Sequence, residues 1–139
     1  MSEPERPLVG ILVGSESDRG RMQEALDELE RRGIPHELEV RSAHRDPRAV
    51  AEYAGSARER GLRVLIAGAG MAAALPGVVA AYTDLPVIGV PLRSSKTLLD
   101  GLDALLSVVQ MPPGVPVACV SVDGARNAAV LAARILSLS

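Results

Sequence analysis

The sequence predicts a three-layer α/β domain, with a five-stranded parallel sheet covered by helices on both faces. Five short apolar runs alternate with stretches of helical periodicity, an order that gives right-handed crossovers and parallel neighbours. The strongest runs carry no polar alternation, as expected of strands buried on both faces. The chain has two tyrosines and no phenylalanine or tryptophan. Its core must therefore come from Val, Leu, Ile and Ala, which suits a sheet under Ala-rich helices.

Residues 8–13, Leu-Val-Gly-Ile-Leu-Val, form the first strand and end at Gly14. After Gly14-Ser15-Glu16-Ser17-Asp18, the positions Met22, Ala25, Leu26 and Leu29 recur at helical spacing as far as Gly33, a helix stop. His36 to Val40 is a second, more polar strand, expected nearer a sheet edge. Asp46-Pro47 signals a helix start, and a helix from Pro47 to Arg60 places Ala51, Ala54 and Ala57 on its inner stripe. Gly61 punctuates before the third strand, Val64 to Ala67, which ends in Gly68-Ala69-Gly70. A small-residue run, Met71 to Ala81, follows and contains Pro76-Gly77. Val87 to Val90 is the fourth strand, ending at Pro91. A polar loop, Arg93 to Thr97, leads to a helix from Leu99 to Val109. Val117 to Ser121 is the fifth strand and Ala125 to Leu138 the last helix. At 139 residues, without repeats or a linker, residues 1–139 read as one flavodoxin-like domain with strand order 2-1-3-4-5.

The last helix is apolar almost all round, from Ala128 through Leu138. Such a helix is covered on more than one side. The sheet covers one, so subunit packing is expected on the other, and with it a homo-oligomer.

Composition excludes several classes of function. A net charge of -2 argues against nucleic acid or an acidic membrane surface as partner. So few aromatics also leave little for stacking on bases. One cysteine, Cys119, rules out an internal disulfide framework, and two histidines leave little for a zinc site, so no metal is expected. No apolar run reaches transmembrane length and the start does not read as a signal peptide, so the default location is cytoplasmic.

In an open parallel sheet, ligands collect at the carboxyl ends of the strands, near the point where strand order reverses. The loops after strands one to three meet there. Ser15, Ser17 and Asp18 on the first loop, at a helix start, read as a phosphate site with an aspartate able to accept from ribose hydroxyls. The plainer alternative is that Ser17 or Asp18 caps the helix, worth ~1 kcal/mol. On the second loop, Ser42-Ala43-His44-Arg45, the arginine suits a phosphate. His44 is the leading candidate for proton transfer near neutral pH, since histidine is the side chain that changes charge there. The plainer reading makes both of them solvated surface residues. His36, between Pro35 and Glu37, carries little functional weight. The third loop, Gly68-Ala69-Gly70-Met71, resembles a dinucleotide fingerprint but follows the wrong strand and lacks the expected acid, so a nicotinamide cofactor is rejected. Its glycines are expected to let backbone approach a flat ligand.

Taken together, Gly14-Ser15-x-Ser17-Asp18, Ser42-Ala43-His44-Arg45, Ala67-Gly68-Ala69-Gly70 and Leu75-Pro76-Gly77 occur in register with Pro86 to Pro91, Gln110-Met111-Pro112 and Gly114 to Val117. This series resembles the 5-(carboxyamino)imidazole ribonucleotide mutase family of purine biosynthesis over about residues 8–136. The resemblance implies carboxyl transfer on an imidazole nucleotide without cofactor or metal. The carboxyl would leave the exocyclic nitrogen as carbon dioxide, stay in the pocket and attach to ring carbon 4. It implies His44 as general acid/base, and Ser15, Ser17, Asp18 and Arg45 as phosphate and ribose ligands. Ser42, Ala69 and Gly70 would face the base and carboxylate, Met71 beside them would also bind substrate, and the assembly would be an octamer. One position departs: mutases usually carry histidine before Leu-Pro-Gly, and here it is Ala74. Enzymes that use free carbon dioxide on aminoimidazole ribonucleotide also lack histidine there, which makes such a carboxylase the alternative. A phospho-ligand-binding module without chemistry is the reading from a different class.

Overall fold

The computed structural model describes residues 6–138. Its five strands are β1 (Val9–Val13), β2 (His36–Val40), β3 (Val64–Gly70), β4 (Val87–Leu92) and β5 (Ala118–Cys119). All pairs are parallel and the order is β2-β1-β3-β4-β5, as the sequence predicts. The helices are α1 (Gln23–Arg31), α2 (Pro47–Ser56), α3 (Leu75–Ala81), α4 (Leu102–Val109) and α5 (Ala125–Leu136). No helix among the described residues is long and apolar enough to cross a membrane.

Two apolar layers sandwich the sheet. On one face, Leu12, Leu65, Ala67 and Val87 pack with Val50 and Ala54 of α2, Val79 of α3 and Val108 of α4. On the other, Ile11, Val13, Ile66, Ile88 and Val90 pack with Ala25 and Leu29 of α1 and with Ala125, Ala128, Ala129 and Ala132 of α5. The small side chains let α5 lie close on the sheet. They stand in for the missing aromatics by near approach rather than by bulk.

Several boundaries move from the sequence expectation, each for a local reason. The chain after β1 does not enter α1 directly. Two 3₁₀ turns, Glu16–Asp18 and Gly20–Met22, come first, and no side chain caps α1. The alternative of a capping role for Ser17 or Asp18 is therefore absent, and so is an α-helix terminus at that loop. β3 continues through Gly68-Ala69-Gly70, so what reads as a loop is strand. β4 continues through Pro91, tolerated there because β5 is only two residues long and its pairing stops at Gly89 with Cys119. α2 ends at Ser56, and α4 starts at Leu102 because Asp100 and Gly101 take positive φ values of 53° and 93°.

α5 corrects the packing inference. Its second side is covered within the chain by α1, and Arg126 of α5 reaches Glu28 of α1 at 3.1 Å. The open apolar surface lies on α4 and the loop before it. Leu98, Leu99, Leu102, Leu106 and Val109 are 94%, 55%, 48%, 45% and 53% exposed, the longest run of exposed large apolar side chains among the described residues.

Edge strand β2 is tied to α2 by one knot of hydrogen bonds, buried on its Tyr53 side and open to solvent at Arg60. The Tyr53 hydroxyl donates to Glu37 at 2.6 Å, and Arg60 donates to the same carboxylate at 2.7 Å. Burial works to raise the Glu37 pKa, but the hydrogen bonds from Arg60 and Tyr53 outweigh it and hold the carboxyl below its usual range. A Cβ on Gly10 would collide with the Tyr53 hydroxyl, so glycine is required in the middle of β1. The knot holds the body of α2 against β2, the two elements that the next loop joins.

Candidate active site

Four strands run in register toward the same edge of the sheet, and β3 and β4 continue two residues beyond the ends of β1 and β2. Val13 pairs with Val40 and with Gly68, and Gly68 pairs with Val90. The chain leaves the sheet at neighbouring points along that edge, and the loops enclose a cleft of about 440 Å³. Ser15, Ser17 and Asp18 line it after β1, and Ser42, His44 and Arg45 after β2. Ala69, Gly70 and Met71 line it at the end of β3. Every site residue expected from the sequence stands on this one cleft.

Each group is held by its own short-range bonds. The Ser15 hydroxyl lies 2.8 Å from that of Ser17 and donates to Asp18 at 3.1 Å, while Arg21 stands 3.9 Å from the same carboxylate. These residues sit on a 3₁₀ turn whose first N–H groups lack partners inside the turn. An anion would meet hydroxyls and free amides there.

The second loop is a clamp. Arg41 donates its N–H to the Val13 carbonyl at 2.9 Å, which ties the loop to the end of β1. The Arg45 N–H donates to the Ser42 hydroxyl at 3.1 Å, and the Asp46 N–H to the Ser42 carbonyl at 2.9 Å. The Asp46 carboxylate then caps α2 by accepting from the Ala49 N–H at 3.2 Å, with Pro47 in the first turn. The backbone of His44 and Arg45 is thus fixed on both sides. Both side chains are exposed, and neither has a hydrogen-bond or ion-pair partner among the described residues. A rigid loop carrying two unengaged polar side chains is built to receive a ligand.

On the third side, Met71 has φ +57°, a left-handed conformation that costs a non-glycine residue roughly 1 kcal/mol. It turns the chain sharply away from β3 at the cleft wall. Gly70 is constrained from within the chain as well. A Cβ there would stand 3.0 Å from the Leu92 carbonyl oxygen and 3.3 Å from Ser94 Cβ, so its absence lets the loop after β4 pack against β3. Ala74 does not line the cleft, whereas Ala72 and Leu75 do.

Sequence reasoning missed one wall. Ser94, Ser95 and Lys96 line the cleft from the loop after β4. Their signal was available, since two hydroxyls and a cation follow an apolar strand there much as polar groups follow strands one and two. They were passed over because the switch point alone directs attention to the first three strands.

Comparison with known proteins agrees over the same span. Residues 8–139 match the AIR carboxylase family. The chain is 58% identical over 134 residues to the N5-carboxyaminoimidazole ribonucleotide mutase of Pyrococcus horikoshii, covering 96% of this chain and 75% of that protein. It is 59% identical over 132 residues to the mutase of Mycobacterium tuberculosis, covering 95% and 75%. The solved structure of Treponema denticola PurE superposes with a TM-score of 0.81 at 35% identity, covering 96% of this chain and 82% of that one. A match from residue 8 to residue 139, carried by the same strands and loops that build the cleft, places this chain in the AIR carboxylase family.

Proposed function

We propose that this chain is an N5-carboxyaminoimidazole ribonucleotide mutase, moving a carboxylate from the exocyclic nitrogen to ring carbon 4 in purine biosynthesis. The observation that carries the reading is its identity of 53 to 59% to mutases across almost its whole length. The cleft supports it independently, because the reaction needs an anion site, a proton shuttle and a wall that retains carbon dioxide.

In this reading Arg45, with Ser15 and Ser17, holds the phosphate, and Asp18 accepts from the ribose hydroxyls. His44 begins protonated. The nitrogen–carboxyl bond breaks, carbon dioxide forms, and the electron pair left on nitrogen takes the proton from His44. Ring carbon 4 then attacks carbon dioxide, and the proton displaced from that carbon returns to His44, so no net proton is consumed. Ser42, Ala69, Gly70 and Met71 face the ring and hold the gas against it. The chain works as a homo-oligomer, an octamer by its resemblance to the family, in the cytoplasm.

The test is a turnover assay offering the carboxyamino nucleotide alone, and the amino nucleotide with bicarbonate. Turnover of the first without bicarbonate is expected. Turnover of the second only would make the chain a carboxylase, and turnover of neither would leave a phospho-ligand-binding module.

A further inference from the structure

The cleft carries a second cation that stands apart from the one assigned to the phosphate. Besides Arg45, Lys96 lines it from the loop after β4, and no carboxylate among the described residues pairs with either. In the order β2-β1-β3-β4 these two cations follow strands separated by three spacings, roughly 14 Å of sheet. They therefore approach the cleft from opposite sides. The backbone carrying Lys96 is pinned throughout. The Lys96 N–H donates to the Ser94 hydroxyl at 3.2 Å and the Thr97 N–H to the Ser94 carbonyl at 3.1 Å. The Thr97 hydroxyl donates to Asp103 at 2.7 Å, and the Arg93 N–H to Asp123 at 2.9 Å. Gly70 lets this loop pack against the end of β3. The lysine side chain itself has no hydrogen-bond or ion-pair partner among the described residues.

A carboxyamino or carboxy imidazole ribonucleotide carries an anion at each end, a phosphate and a carboxylate. We propose that Lys96 is the carboxylate-positioning residue, holding the substrate and product carboxylates from the side of the cleft opposite Arg45. The assignment rests on the mutase reading above and adds a residue to it. A cation there attracts the carboxylate before and after migration, but much less the neutral carbon dioxide between. Its loss should therefore appear mainly in KM, the signature of binding shared by ground states rather than of a transition-state contact.

The experiment compares the full-length wild type with Lys96→Met and Lys96→Arg by equilibrium titration of two nucleotides. One is 5-aminoimidazole ribonucleotide, which has only the phosphate. The other is its 4-carboxy derivative, which has both anions. Lys96→Met should bind the 4-carboxy compound about tenfold more weakly, as expected for one lost charge-assisted hydrogen bond. It should bind the uncarboxylated compound as the wild type does, and show raised KM with kcat retained. Lys96→Arg should recover most of the loss. Equal weakening toward both nucleotides would overturn the assignment in favour of a phosphate contact, and unchanged binding of both would make Lys96 a solvated surface charge. If the wild type itself bound neither nucleotide, the mutase reading would fall as well, which separates the two failures.

Discussion

At the residue scale the cleft divides its labour between neighbours, and adjacent substitutions should separate chemistry from binding. Replacing His44 by Asn removes the proton shuttle but touches no core residue and breaks no existing hydrogen bond, since the side chain is exposed and unengaged. We expect a normal melting curve, nucleotide binding within about twofold, and kcat lower by at least about 100-fold. Arg45→Ala should do the reverse, raising KM about tenfold through the lost phosphate charge while kcat changes little. Steady-state kinetics with a thermal melt on each variant checks both, and wild-type turnover by His44→Asn would end its assignment as the shuttle. The place of His44 and Arg45 on the cleft was legible because the topology brings the loop after strand two to the point where strand order reverses, whereas the pair by itself reads equally well as solvated surface. That of Lys96 was not, because a lysine in a polar loop looks like any solvated charge until the fold sets it on the cleft. The packing constraint on Gly70 had no local signal for a related reason: it comes from Leu92 and Ser94, which are remote in sequence.

At the element scale, α1 and α5 are joined by a charge cluster that makes their packing depend on pH. Glu28 of α1 is 5% exposed and receives Arg31, Arg32 and Arg126, the last from α5. The hydrogen bond from Arg32 leads, that from Arg31 follows, and against the opposing effect of burial they hold its pKa at about 2, down from 4.5. Between those two values the unfolded chain binds a proton at this site and the folded chain does not, so stability rises with pH across that window. The contribution is complete above pH 4.5 and is lost as pH falls through about 2. Glu28→Gln should lower Tm at neutral pH and flatten the fall of Tm between pH 5 and 2, followed by circular dichroism; an unchanged acid slope would show that the cluster contributes nothing. The helices and strands themselves were legible from periodicity, because continuous apolar runs have few alternatives in a chain of this composition. Their ends were less so. The late start of α4 follows from positive φ at Asp100 and Gly101, and the 3₁₀ turns before α1 follow from backbone geometry that apolar spacing does not encode. The tie between Arg126 and Glu28 spans 98 residues and has no local signal at all.

At the scale of the whole molecule, the question is which surface an assembly would cover. Composition points to α5, whose apolar residues run round the helix, but α1 and the sheet already take up that helix within one chain. A helix can be apolar all round because its own fold wraps it, and sequence alone does not distinguish that case from a subunit interface. The surface left over is on α4. Leu102, Leu106 and Val109 follow at i, i+4 and i+7, forming one stripe about half exposed, and Leu98 and Leu99 extend it along the preceding loop. Ala104 and Val108, both fully buried, hold the opposite face of α4 to the core. A contiguous apolar stripe of this kind on a folded domain marks an interaction surface. If the chain assembles as its resemblance to the family implies, Leu102→Glu combined with Leu106→Glu should shift the mass in solution toward the monomer, read by light scattering coupled to size exclusion. The monomer should stay folded, because neither leucine is among the buried residues of the core. A wild-type mass retained by the double variant would move the interface to another face. The same variant also reports on the cleft: α4 is joined through Thr97 and Asp103 to the loop that carries Lys96. An assembly that packs on α4 would then brace one wall of the cleft, and the dissociated variant should bind the 4-carboxy nucleotide more weakly than the assembled wild type.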